Sequence, residues 1–382
     1  METPFVYGKL ATGENFTNRE VEQKRLIQNF LSGTNTILIS PRRWGKSSLV
    51  NKSAVEAKKA RNDLIIISID LFNIRSEEEF YKCMAESVIR ATSGRIEEVM
   101  NNIKEFMKEW IPRISFSPDA YHEFSLRLNW AEIKRQPDEI LNLAENIAIA
   151  KKCNIVICLD EFQNIAFYED PLAFQKKLRS NWQKHQMVSY CIYGSKRHML
   201  LDVFTSATMP FYKFGDLMFL QKISPDYWIP FIQERFRLTG KSIDPEHAAR
   251  IASLTDCHPY YVQQLAQQTW LRTESAVSTG IIDETMESLI SQMSLLFQNI
   301  TENLTTSYLN FLKMILDGHT RYTSMENIER YQLGTSANVV RIRRALISKE
   351  IIDEHEGALI LLDPLYALWL KKYYFQDYFS NK

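Results

Sequence analysis

The sequence predicts an α/β protein: a mostly parallel sheet within residues 1–223, a small helical domain over 224–294, and a winged helix-turn-helix over 295–382. Three observations predict it. Apolar runs of strand length alternate with helical stretches from Phe16 to about Lys222, the pattern of βαβ units. From Ser224 to about Met293 the strands stop and only helical stretches follow, which marks a separate small domain. The last segment holds three short helix candidates and then a strand behind an acidic turn.

The strand candidates are Thr36–Ile39, Leu64–Asp70, Ile155–Leu159, Ser189–Ser195 and, last, Phe219–Ile223. Apolar, β-branched runs without polar alternation suit strands covered on both faces, as in a parallel sheet. The stretch from Arg75 to Lys152 is longer than one crossover helix needs. It predicts an insertion at about 75–150, either a helical pair or a short hairpin around Phe124–Leu128, near a segment bounded by Pro112 and Pro118. In the helical domain, Pro225 to Trp228 starts one helix, Asp244 caps a second with Pro245 in its first turn, and His258 and Pro259 open a third. Polar residues Gln298–Thr306 read as a linker. Beyond it, Leu309–Leu316, Met325–Arg330 and Ser336–Ile347 are helices, Asp353–Gly357 is a turn, and Ala358–Leu362 is a strand. The aromatic tail Tyr373–Phe379 reads as packed core.

Ser40-Pro41-Arg42-Arg43-Trp44-Gly45-Lys46-Ser47 carries the most chemistry. It follows a strand and opens a helix through Ser48, the context a phosphate-binding P-loop requires. Backbone N–H groups of the turn and the positive helix end point at phosphate. In such a loop the Lys46 ammonium would reach the β- and γ-phosphates, and the Ser47 hydroxyl would hold Mg²⁺. Ser40 stands where the strict pattern has its first glycine.

A second motif lies downstream. The run Ile155–Leu159 ends in Asp160 and Glu161, at the C-terminal end of a strand, where open α/β sheets bind ligands. Asp160 suits the Mg²⁺ shell, and Glu161 suits a base that orients and deprotonates a water. The plainer reading of each motif is a strand-end turn, since turns favour Asp and Gly. Together they predict a nucleoside triphosphate with Mg²⁺, with Lys46, Asp160 and Glu161 catalytic and Ser47 and Asp160 on the metal.

Composition adds boundaries. Lys+Arg 46 against Asp+Glu 46 leaves no net charge, so global electrostatics favour neither nucleic acid nor its absence. Five scattered cysteines, odd in number and mostly inside apolar segments, fit a reduced cytoplasm and show no zinc spacing. Neither a secretory signal nor a membrane-length apolar stretch is visible in the sequence.

The ordered set Phe16–Glu20, Pro41–Leu49, Asp160–Gln163, Tyr193–Ser195, His258–Tyr260 and the closing Asp363–Leu370 resembles the archaeal and bacterial AAA-type ATPases of the STAND group. The resemblance spans nearly the whole chain. It implies a P-loop NTPase core, a helical lid and a C-terminal winged helix, with ATP bound between core and lid. It implies that Asn18 and Arg19 line the nucleotide with Pro41, Arg42, Arg43, Trp44, Gly45, Lys46, Ser47 and Ser48. It places Ser195 near the γ-phosphate, His258 near the β-phosphate and Pro259 near the base. His258-Pro259 also fits a plain helix cap, and Ser195 a strand-end turn. Departures are Ser40, Cys257 for the usual glycine before His-Pro, and Lys213 where the family often has an arginine. Lysine lacks the planar fork that clamps a phosphoryl group, which leaves Arg197 as the substitute candidate.

Winged helices often set their third helix in the major groove. That helix carries Arg341, Arg343 and Arg344 with no acid between Ser336 and Ser348, so DNA is a candidate partner. Against it, residues 295–382 hold ten Lys/Arg and ten Asp/Glu and are neutral. Two functions follow: an ATPase used as a conformational switch or motor, coupled to a partner through the winged helix, or a nucleotide-binding DNA-binding or scaffold protein with little hydrolysis. Self-association or a protein partner is open, and no membrane is expected.

Overall fold

Strands β1 (Thr36–Ile39), β2 (Leu64–Asp70), β5 (Asn154–Asp160), β6 (Val188–Gly194) and β7 (Asp216–Phe219) form one sheet in the computed structural model. Their order is β2-β5-β6-β1-β7, every pair parallel. The structure describes residues 3–93, 115–118, 124–127, 137–355 and 357–380. They divide into two units, Arg19–Gln221 and, joined, Met1–Asn18 with Lys222–Lys382.

In the Arg19–Gln221 unit, alternation along each strand fills both faces. Ile37, Ile39, Ile67, Ile69, Ile155, Ile157 and Ile192 enter one large core with Phe80, Phe174, Trp182 and Phe211. Leu38, Ile66, Val156, Cys158, Cys191 and Tyr193 point the other way and are also buried. Helix α1 (Glu20–Ser32), α2 (Lys46–Ala60) and α3 (Glu77–Thr92) belong to this unit, α3 capped by the Ser76 hydroxyl. Topology positions the site: β6 separates the strand feeding the P-loop from the strand ending in the acids.

The insertion contains the hairpin alternative: β3 (Ser115–Pro118) pairs antiparallel with β4 (Phe124–Arg127). Pro112 and Leu128 lie outside the described residues. The last strand differs from expectation. It runs Asp216–Phe219 and ends where Phe219–Ile223 was expected to begin. Gly215 approaches Asn35 so closely that an added Cβ would lie 2.3 Å from the Asn35 carbonyl oxygen. Asp216 is then fixed by Arg25 Nε at 2.8 Å and Asn29 Nδ2 at 2.8 Å. Long-range contacts, rather than apolar content, start this strand.

The other unit has one continuous apolar core. It joins Phe5, Trp228, Phe236, Trp270, Phe297, Phe311, Leu346 and Trp369. Helices Pro225–Arg237, Pro245–Leu254 and Pro259–Arg272 start where expected. Asp244 occupies the cap position of the second but makes no side-chain cap hydrogen bond; Ser224 does cap the first. The expected linker is largely helix: Thr279–Glu302 runs unbroken because Phe297 and Thr301 turn inward, Thr301 Oγ1 lying 2.9 Å from the Tyr366 hydroxyl. Only a short break precedes helix Thr306–Leu316, capped by Thr305.

Helices Met325–Arg330 and Ser336–Ser348 and the hairpin β8 (Ile352–His355) with β9 (Ala358–Leu361) complete the winged helix. Asp353 and Glu354 therefore lie on a strand rather than in the turn, and Gly357, at φ 82, makes the reversal. The aromatic tail is also corrected: Tyr373 and Tyr374 are exposed, and Tyr378 is half-buried against Lys313, Asp317 and Tyr331. Among the described residues no helix is long and apolar enough to cross a membrane.

Candidate functional site

The P-loop is built by torsion before it is built by side chains. Arg43 and Gly45 take positive φ, 61 and 88, and Gly45 is the residue from which α2 departs. A Cβ at Gly45 would meet no protein atom within 4 Å, so the backbone conformation itself demands glycine there. Ser40 is absent from the positive-φ positions. Its hydroxyl donates to the Pro41 carbonyl at 2.9 Å, and the side chain is buried. A serine is thus accommodated where the strict motif has glycine.

The loop then brings Lys46 and Ser47 onto the first turn of α2. Lys46 Nζ lies 3.4 Å from Glu161 Oε1 although its side chain is only 9% exposed. Ser47 Oγ donates to Asp160 Oδ2 at 2.9 Å, across 113 residues of sequence. Arg42 Nε donates to Ser195 Oγ at 3.4 Å. Arg19 Nη2 donates to the Trp44 carbonyl at 3.4 Å while Nη1 pairs with Glu22 at 3.1 Å, so this buried guanidinium braces the loop. Ser48 and Trp44 are buried, Arg42 and Arg43 exposed.

The two acids at the end of β5 sit in different fields. The Asp160 carboxyl is pushed above its ordinary value by burial, which outweighs the pull of Lys46 and the Ser47 hydrogen bond. Burial raises Glu161 too, but Lys46 and the hydrogen bonds from Gln163 and Ser195 hold it below its ordinary value. Glu161 Oε2 accepts from Ser195 Oγ at 2.8 Å and from the Ser195 N–H at 3.4 Å. Gln163 Nε2 donates to the same oxygen. Glu161 itself adopts φ 53, a conformation that aims the side chain as the chain leaves the strand.

Ser47 and Asp160 offer two hard oxygens side by side, the donor chemistry Mg²⁺ takes when phosphates complete its shell. The donor set fits that ion.

Lys46, Ser47, Asp160, Glu161 and Ser195 thus converge within one unit, with Arg42 attached. Asn18, His258 and Pro259 belong to the other unit. There His258 is buried at the start of helix Pro259–Arg272, its ring centroid 4.9 Å from that of Tyr261, whose hydroxyl donates to Asp363 at 2.5 Å. Cys257 has φ 54, a backbone conformation that favours glycine. Lys213 lies 5.3 Å over the Tyr212 ring, and Arg197 opens the helix after β6. Gln163 is the site residue to which sequence reasoning gave no role. It closes the Asp160–Gln163 segment of the resemblance, but only the turn Phe162–Phe167 brings its amide back onto the carboxylate.

Comparison with solved structures returns the same architecture. The Walker-type ATPase of Pyrococcus abyssi is 18% identical, covering 96% of this chain and 99% of that one, at TM-score 0.65. The Aeropyrum pernix ORC2 protein, solved as ADPNP and ADP complexes, is 14% identical over 94% of each chain at 0.55. The likeness is one of fold: a five-stranded parallel sheet with helices, as in these P-loop ATPases, followed by helices and a C-terminal winged helix. A third neighbour, the Aeropyrum pernix ORC1 protein in complex with DNA, is 14% identical over 99% of both chains at 0.50. Residues 295–372 match a family described as "Probable winged helix domain". Comparison with curated proteins gives no match.

Proposed function

We propose that this protein binds ATP with Mg²⁺, hydrolyses it, and uses the reaction as a conformational switch or motor coupled to a partner through its winged helix. One observation carries the reading: the phosphate-loop pair Lys46-Ser47 and the acid pair Asp160-Glu161 meet in two contacts, at 3.4 and 2.9 Å. A plain strand–turn–helix has no reason to place a nearly buried ammonium and hydroxyl on two carboxylates from another strand.

The roles follow. The loop amides and Lys46 hold the β- and γ-phosphates, and Ser47 and Asp160 hold Mg²⁺, which screens phosphate charge. Lys46 exchanges Glu161 for phosphate when ATP binds. Glu161 then takes a proton from the attacking water as the γ-phosphorus accepts the water oxygen and the bridging bond to ADP breaks. Ser195 orients Glu161. The reading extends to Asn18, Arg19, His258 and Pro259 as nucleotide contacts and to the STAND grouping, both on the sequence resemblance, and to the division 1–223, 224–294 and 295–382, on the pattern of strands and helices along the sequence.

Lys46→Ala weakens ATP binding about ten- to a hundred-fold, the worth of a charge-assisted contact. Glu161→Gln keeps binding and loses roughly 10²–10⁴ in turnover. Fluorescent-nucleotide titration and phosphate release measure the two; wild-type turnover in Glu161→Gln removes the catalytic assignment.

A DNA partner is supported by exposed Arg341 and Arg344 on helix Ser336–Ser348. Arg343 forms an ion pair with Glu354 of the wing and is assigned a structural role instead. In this second reading the chain is a DNA-binding or scaffold protein with little hydrolysis. Duplex DNA then binds without raising phosphate release, whereas the switch requires a rise that disappears in an Arg341/Arg344 double alanine variant and fades with salt.

A further inference from the structure

We propose that Gln163 is a positioning residue for hydrolysis: its buried amide holds one oxygen of Glu161 so that the other faces the P-loop. The inference rests on the ATPase reading and goes beyond it by assigning an orienting residue that is neither in the loop nor one of the paired acids.

Three observations carry it. Gln163 is 2% exposed and donates through Nε2 to Glu161 Oε2. Its other amide atom, Oε1, is buried with no hydrogen-bond partner among the described residues. Flipping the amide would set that oxygen against the carboxylate, so the orientation is decided by charge. A buried carbonyl left unpaired costs stability, and an apolar side chain of similar size would avoid that cost. What the glutamine provides in return is the bond to Glu161.

The third observation is Gly194. A Cβ there would lie 2.0 Å from Gln163 Oε1 and 3.1 Å from its amide carbon. The end of β6 is glycine because the Gln163 side chain fills the space. Gly194 precedes Ser195, whose hydroxyl and N–H reach the same Glu161 oxygen. Gln163 and Ser195 thus clamp Oε2 from two sides. Oε1 is left to Lys46 at 3.4 Å, and to a water once Lys46 turns to phosphate.

The test uses the full chain with ATP and Mg²⁺. Gln163→Leu keeps the volume and removes the donor. It lowers kcat about ten-fold, the effect of losing one hydrogen bond to a charged group, with ATP affinity unchanged within about two-fold. Gly194→Ala, which displaces Gln163 without altering it, gives the same split between kcat and KM. In a Glu161→Gln background, adding Gln163→Leu leaves the residual rate unchanged, because the two residues act through one group. A wild-type or raised kcat in Gln163→Leu, or a fully additive loss in the double variant, overturns the assignment of Gln163 while the ATPase reading stands. Absence of ATP binding in the wild type, or undiminished turnover in Glu161→Gln, overturns both. If Gln163→Leu does not fold, Gly194→Ala decides alone by the same split.

Discussion

Gly45 shows how much of the proposed phosphate site is torsion. At φ 88 it turns the chain into α2 with nothing nearby to crowd a side chain. Gly45→Ala is therefore expected to cost about 1–3 kcal/mol in backbone strain. The same change weakens ATP binding, because the loop amides no longer converge. Chemical denaturation and nucleotide titration of one variant separate the two losses. Ser40→Gly is the contrasting case: Ser40 is not among the positive-φ positions, so restoring the strict motif is expected to leave ATP affinity within about two-fold. The residue identities of the loop and the acid pair were legible in the sequence. The role of Gln163 was not, although the residue closes the Asp160–Gln163 segment, because that role comes from a turn that folds back on the acid it follows.

At the scale of elements, His185 ties three pieces of the core together. Its Nδ1 lies 2.9 Å from the Tyr190 hydroxyl on β6, and its Nε2 lies 2.9 Å from Asn142 Oδ1 between two short helices. Burial depresses its basicity below the ordinary imidazole value of 6.5 more than Glu145 raises it. In the unfolded chain the ring protonates as pH falls through that value, while in the fold it stays neutral. Stability is thus complete above the unfolded value and declines as pH drops below it. Melting between pH 7.5 and 5.5 is expected to show this decline, and His185→Gln to flatten it. Helix Thr279–Glu302 makes a second case. Polar residues over Gln298–Thr306 look like a linker in one dimension, yet Phe297 is fully buried and Phe297→Ala is expected to cost about 3–5 kcal/mol by denaturant titration. β7 likewise starts earlier than its apolar run, because Arg25 and Asn29 select Asp216.

For the whole molecule, the division of the core predicts how the chain comes apart. Residues 19–221 hold their own sheet and apolar cluster. A fragment of those residues is expected to melt cooperatively. A chain cut after residue 294 is expected to aggregate, since Phe297, Phe311, Leu365 and Trp369 share one core with Trp228 and Trp270. Light scattering and calorimetry of the two fragments check both outcomes. Residues 3–18 belong with that second core through Phe5 and through Val6, whose N–H donates to Gln263 at 3.1 Å.

The sequence by itself determined the α/β class, the strands of the parallel sheet to within one residue at each end apart from β7, the loop, the acid pair and the winged-helix end. Each of these is written in residue types at short spacing, where propensity, periodicity and motif chemistry act locally. Only the tertiary structure decided that Ser47 meets Asp160 and Lys46 meets Glu161, that Gln163 and Ser195 hold one carboxylate oxygen, and that Gly194 is glycine for Gln163's sake. Those facts depend on strand order, which sets β6 between the two motif-bearing strands, and strand order is fixed by the packing of both sheet faces together.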